Sequence, residues 1–186
     1  MISTRGMLLS LGFMTFAAHA GDFALTSSEV GPDKPLAQEF VYDKFGCTGG
    51  NQSPALSWND APAGTKSFAV ALFDPDAIRG RGFWHWLVVN LPAQTTNLSR
   101  DAGNVDGSKL PAGAVQIKNG FRATGYSGSC PPPGEPPHNY TYTVYALKVE
   151  KIDVPADADS PTVLNLVKEQ ALGSATLTYR FGREKP

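Results

Sequence analysis

Three separated stretches carry the side chains of this sequence best suited to holding a negatively charged oxygen group: Asp74-Pro75-Asp76-Ala77, Phe83-Trp84-His85-Trp86-Leu87-Val88-Val89-Asn90, and the run from Tyr126 to Tyr140. Imidazole N–H groups and phenol hydroxyls donate to such oxygens, and an imidazole can add positive charge near neutral pH. His85 lies in an apolar run, where an unpartnered imidazole would cost on the order of a few kcal/mol to bury. Asp74 closes the preceding apolar run, and consecutive interior strands are usually neighbours, so its carboxylate is the expected partner of His85. His138 precedes Tyr140 by two residues, which in a strand puts the imidazole and the phenol on one face. The prolines before them form a stiff wall. Tyr126 offers a second phenol, and the backbone around Gly128 and Ser129 offers N–H groups. Trp86 reads as core, while Trp84 stays open between core and pocket.

The same residues admit other readings. Asp74 can be no more than the partner of a core histidine, since most buried polar groups are simply paired. Two histidines and a carboxylate suggest a metal triad, but nothing here has the i, i+4 spacing of H-E-x-x-H. Gly125-Tyr126-Ser127-Gly128-Ser129 lacks the final glycine of G-x-S-x-G and does not join a strand to a helix, which counts against a serine hydrolase. No catalytic residue, metal ligand or cofactor is therefore assigned.

The elements that must position these residues are mostly strands. Ser67 to Phe73 is apolar on both faces, as in a covered sheet, and Phe83 to Leu91 forms a second interior strand. Alternation along the latter places Trp84, Trp86 and Val88 on one side and His85, Leu87 and Val89 on the other. Glu39–Tyr42, Ala55–Trp58, Val115–Ile117, Tyr140–Val149 and Ser174–Phe181 read as further strands. Residues 93–113 are an irregular excursion. Ser160 as N-cap with Pro161 behind it starts a helix of about three turns, its apolar stripe of Val163, Leu164, Val167 and Leu172 ending at Gly173. With 19 glycines and 15 prolines, the chain is expected to be mostly β.

Arg5, the apolar or small residues 6–18 and Ala18-His19-Ala20 have the three parts of a secretory signal peptide cleaved after Ala20. The apolar part falls short of the roughly 20 residues that cross a membrane, so no stable membrane insertion is expected. Residues 21–186 then make a single domain, periplasmic or secreted. Without Arg5 the 16 basic residues become 15 against 17 acidic, a net charge of −2. That balance argues against nucleic acid or bulk attraction to an anionic membrane, so anion recognition must be local. Cys47 and Cys130 are the only cysteines, and in an exported chain they are expected to form one disulfide, worth on the order of 4 kcal/mol by loop-closure entropy. The alternative is two buried thiols.

With these residues in view, the chain resembles the phosphatidylethanolamine-binding proteins, also called the Raf kinase inhibitor protein family, and within it the exported bacterial branch. The likeness covers nearly all of residues 21–186. It rests on Asn51-Gln52-Ser53-Pro54-Ala55-Leu56-Ser57-Trp58, the DPDA run at 74–77, the WHWLVVNLP run at 84–92, Gly128-Ser129-Cys130-Pro131-Pro132 and His138-Asn139-Tyr140. It implies a central β-sandwich with a few short peripheral helices and one C-terminal helix. It also implies an anion pocket at one end, lined by Asp74, His85, His138 and Tyr140, with the Ser129–Pro132 loop as a wall; Trp84 and Tyr126 remain secondary candidates from their own chemistry. The resemblance implies no catalysis. The implied ligand is phosphate or a phospholipid head group; the alternative is a protein-interaction module inhibiting a kinase, protease or host signalling factor, with Arg79 and Arg81 on its contact surface. Trp84 stands where many eukaryotic members have a second histidine, and Asn139 replaces a basic residue common between His138 and Tyr140, so both departures remove positive charge. Cys130 would tie the proline loop to the glycine-rich segment around Cys47.

Overall fold

The computed structural model describes residues 21–185. The expected signal peptide, residues 1–20, lies outside the described residues. In chain order the strands are β1 (Ala24–Thr26), β2 (Leu56–Asn59), β3 (Ser67–Asp74), β4 (Phe83–Pro92), β5 (Asn97–Leu98), β6 (Val115–Gln116), β7 (His138–Leu147) and β8 (Ala171–Phe181). The runs rich in Val, Phe, Tyr and Thr build a five-stranded sheet in the order β6-β4-β3-β7-β8, and the short strands build a second sheet, β1-β2-β5. All pairings are antiparallel.

β3 is buried on both faces because the large sheet is covered on both sides. On one side Val70, Leu72, Trp86, Val88, Tyr142 and Val144 meet Leu25, Leu56, Trp58 and Leu98 of the small sheet, which makes the expected sandwich. On the other, Ala69, Ala71, Leu87 and Val89 lie under Val163, Leu164 and Val167 of the C-terminal helix (Ser160–Gln170). The fold is thus mostly β, with that helix, a 3₁₀ turn at Gln38–Phe40 and one turn at Ala77–Gly80 as its helical parts.

Several local expectations shift. Glu39–Tyr42 is not a strand: its first part is the 3₁₀ turn, and Val41 makes only an isolated bridge to Ser129. The helix is capped by Asp159, whose carboxylate accepts from the Thr162 amide at 3.1 Å, while the Ser160 hydroxyl donates to the Lys118 carbonyl. At its other end Ala171 is already extended, so β8 begins there and Gly173 pairs with Ala146 as a strand residue. Leu172 belongs to β8, not to the helix stripe.

The most consequential irregularity is a β-bulge at His85. Leu72 pairs with Trp86 and Phe73 with Trp84, which leaves His85 as an extra residue. An extra residue resets the alternation by one. Trp84 accordingly packs on Phe73, ring centroids 4.2 Å apart, on the helix-covered side. Trp86 stays in the sandwich core, and His85 turns to that same side, its ring 5.3 Å from that of Tyr140. The simple alternation that grouped Trp84 with Trp86 and His85 with Leu87 fails at this point.

Candidate functional site

Asp74 ends β3, His85 sits in the bulge of β4, and His138 and Tyr140 open β7, so three adjacent strands deliver four polar side chains to one end of the sandwich. His138 and Tyr140 lie on the same face, as their spacing predicts, in the inward-facing half of an alternately buried strand. Together with Asp76, Ala77, Ile78, Arg79, Phe83, Phe121, Cys130, Pro131, Pro132 and Glu135, the four line a cavity of about 360 Å³. Pro131 and Pro132 supply the expected wall. The Cys47–Cys130 disulfide fastens that wall to the glycine-rich segment.

Asp74 is held from both ends. One carboxylate oxygen accepts from the amides of Asp76 at 2.9 Å and Ala77 at 3.1 Å. The other lies 2.8 Å from His138 Nδ1 and 3.9 Å from His85 Nε2. The hydrogen-bonded partner of Asp74 is therefore His138, not His85 as the order of the strands suggests. The bulge turns His85 to the Asp74 side of the sheet but leaves it 3.9 Å away, while β7, pairing with the other edge of β3, brings His138 into hydrogen-bond contact.

His85 is anchored to Ser127. Its Nδ1 lies 2.9 Å from the Ser127 carbonyl, and the Ser127 amide donates to the His85 carbonyl at 3.0 Å. A carbonyl can only accept, so Nδ1 carries the hydrogen. Burial pushes the His85 pKa down to about 4, against the raising effects of the Ser127 carbonyl and Asp74. At neutral pH the imidazole is uncharged, and Nε2 presents a lone pair. His138 is the opposite case. Burial works against its charge, but the hydrogen bond and charge of Asp74, with Glu135 and Asp76 behind them, raise its pKa. Its Nε2 lies 3.2 Å from a Glu135 carboxylate oxygen, so carboxylates face both ring nitrogens and both nitrogens donate.

Other expected contributors lie elsewhere. Tyr126 is buried behind the site and donates to the Phe40 carbonyl at 2.8 Å. The Ser129 hydroxyl is buried and shares a 2.8 Å hydrogen bond with Tyr179. The Gly128 amide, an expected anion donor, is taken by Asn51 Oδ1 at 2.8 Å; a Cβ at this glycine would stand 2.4 Å from the Phe40 carbonyl oxygen, so the loop packs too closely for any side chain. Trp84 faces away, as the bulge requires. Burial and the charge of Asp74 raise the Tyr140 pKa, so its hydroxyl stays protonated. The residues that single-sequence reasoning missed are Ser127, Glu135, Phe83 and Phe121. For Glu135 the only signal was its place three residues before His138.

The profile of the family described as phosphatidylethanolamine-binding protein matches residues 26–182. The chain belongs to that family. It is 48% identical over 168 residues to Escherichia coli YbcL, covering 90% of this chain and 92% of YbcL, and 43% identical over 157 residues to Escherichia coli YbhB, covering 84% and 98%. The crystal structure of YbcL, described as a new member of the mammalian PEBP family, superposes with a TM-score of 0.85 at 45% identity, over 88% of this chain and all of that one. Membership of this family accounts for the sandwich and for the order of the motifs from Asn51 to Tyr140.

Proposed function

We propose that this chain is a non-enzymatic binding protein whose pocket takes a small anionic phosphorus group, the phosphodiester of a phospholipid head in preference to free phosphate. The observation that supports it is His138, an imidazolium held by Asp74 within a cavity of head-group size. Its outward N–H now meets Glu135, and a ligand oxygen replacing that carboxylate would receive a charge-assisted hydrogen bond. The neutral His85 contributes an acceptor, which suits a ligand carrying an N–H or O–H beside its phosphate. Asp74, Asp76 and Glu135 line the same cavity, so a monoanion is less repelled than a dianion.

Export is part of this reading. The sequence carries the three parts of a signal peptide, and a disulfide suits an oxidising compartment. No helix among the described residues is long and apolar enough to cross a membrane.

Calorimetry with glycerophosphoethanolamine and with inorganic phosphate tests the reading. The diester should bind more tightly than phosphate, and more tightly at pH 6 than at pH 8.5, because the His138 charge is lost as pH rises through its raised pKa. His138→Gln should lose roughly tenfold or more in affinity, in keeping with about 1.5–3 kcal/mol for a hydrogen bond to a charged group, with the circular dichroism unchanged. Binding indifferent to pH and to His138→Gln would remove the pocket from the account.

A further inference from the structure

The mouth of the pocket carries a collar that head-group recognition alone does not require. Among the described residues six large apolar side chains are prominently exposed, and three of them stand here: Phe45 at 70%, Ile78 at 55% and Phe121 at 37%. Phe121 and Ile78 line the cavity itself. The Phe45 ring stacks on that of Phe121 with centroids 5.1 Å apart, and Phe121 packs on Phe83, which in turn touches the His85 ring edge-on at 4.9 Å. One aromatic chain thus runs from the pocket floor to the solvent. Ile78 is held outward by a turn in which it and Arg79 adopt left-handed φ angles of 52° and 57°, an unfavourable backbone for a β-branched residue as well as an unfavourable exposure.

Each apolar tip has basic company. Lys44 precedes Phe45, Arg79 follows Ile78, and Arg81 lies two residues on. All three are exposed, and among the described residues none is in an ion pair. Of the acids at this mouth, Asp76 is engaged by the Asn139 backbone and side-chain amides, Asp74 and Glu135 face His138, and the exposed Asp43 adjoins Lys44. The collar is therefore apolar at its tips and basic beside them, on a chain whose residues 21–186 are otherwise slightly acidic.

From this arrangement we propose that the mouth docks on the surface of a bilayer containing anionic lipid, with Phe45, Phe121 and Ile78 entering the head-group layer and Lys44, Arg79 and Arg81 meeting lipid phosphates. The proposal rests on the head-group reading above and names the source of the ligand: a lipid still seated in its membrane. Exposed aromatic and aliphatic tips flanked by Lys and Arg have the composition of an interfacial anchor. A head group attached to its acyl chains can reach a recessed imidazolium only if the mouth meets the interface. Charge complementarity selects anionic lipid, and attraction of this kind acts within a Debye length of the surface, so a slightly acidic chain can dock through a local basic patch.

Flotation of the purified protein with phosphatidylcholine vesicles, with and without phosphatidylglycerol, tests this. Binding should require phosphatidylglycerol and weaken with salt. Phe45→Asn, which accepts the positive φ of that position, should weaken vesicle binding about tenfold, as expected for the loss of one buried aromatic side chain. Lys44→Gln with Arg81→Gln should weaken it about twenty-five-fold, from about fivefold for each lost charge. None of these changes should alter glycerophosphoethanolamine binding in solution, because none of the three residues lines the cavity. Phe45→Trp should show a blue shift of its emission on adding vesicles. A wild-type protein that binds the soluble head group but not the vesicles, or a Phe45→Asn variant that floats like wild type, would overturn the docking proposal and leave the pocket reading standing. Vesicle binding that survives while soluble head-group binding proves absent would do the reverse.

Discussion

Two histidines that approach the same Asp74 oxygen are built to opposite charge. His138 lies between the carboxylates of Asp74 and Glu135, and the gain from them outweighs the cost of burying its charge. His85, 3.9 Å from the same Asp74 oxygen, hydrogen-bonds a backbone carbonyl instead, and burial prevails. Carboxylates at both ring nitrogens raise the one pKa and burial lowers the other, so the two rings are biased to opposite charge. The pocket consequently offers one charged donor and one neutral acceptor side by side, not a pair of cations, which favours a ligand that is itself polar in both senses.

The largest test of this contrast is to remove the shared carboxylate. Asp74→Asn should cost about 3 kcal/mol of stability in urea unfolding, the range for breaking a buried charge pair. It should also bring the His138 pKa down and weaken head-group binding. If only His85 responds, the assignment of partners is wrong.

Acid should expose the second ring next. The His85 pKa falls from 6.5 in the unfolded chain to about 4 in the fold, so its contribution is present above pH 6.5 and lost as pH falls through about 4. At 1.36 kcal/mol per pKa unit, that amounts to about 3 kcal/mol. His138 has the opposite sign: its contribution is complete below the unfolded value and is lost as pH rises through its raised folded value. Urea titrations across pH should therefore lose the acid limb in His85→Asn and the alkaline limb in His138→Gln. The same limb changing in both variants would erase the contrast.

The smallest effect sharpens the picture on the ligand side. Glu135 is half-exposed and occupies the His138 nitrogen that an anion needs. Glu135→Gln should raise affinity for glycerophosphoethanolamine severalfold by calorimetry, whereas weaker binding would mean that Glu135 itself contacts the ligand.

Much of this was legible in the residues. Alternation and apolar runs marked β3, β4 and β7, and the two-residue spacing of His138 and Tyr140 put both on one face. What escaped was set by tertiary pairing. A bulge leaves no mark in periodicity, so the side to which Trp84 and His85 turn could not be read from the pattern of β4. The partner of Asp74 depended on which edge of β3 receives β7, a long-range choice made 64 residues away. Tyr126 and Ser129 have the right chemistry, yet both hydroxyls are used internally, by Phe40 and Tyr179. The rim residues Phe45 and Phe121 are ordinary aromatics until the fold stacks them at the mouth.

Nitrogen NMR of protein labelled with ¹⁵N in its histidine rings tests the central claim most directly. At pH 7 the ring of His138 should report a doubly protonated imidazolium whose shifts move on adding glycerophosphoethanolamine. His85 should report a neutral ring protonated at Nδ1, titrating only near pH 4. A neutral His138 at pH 7, or a charged His85, would contradict the account.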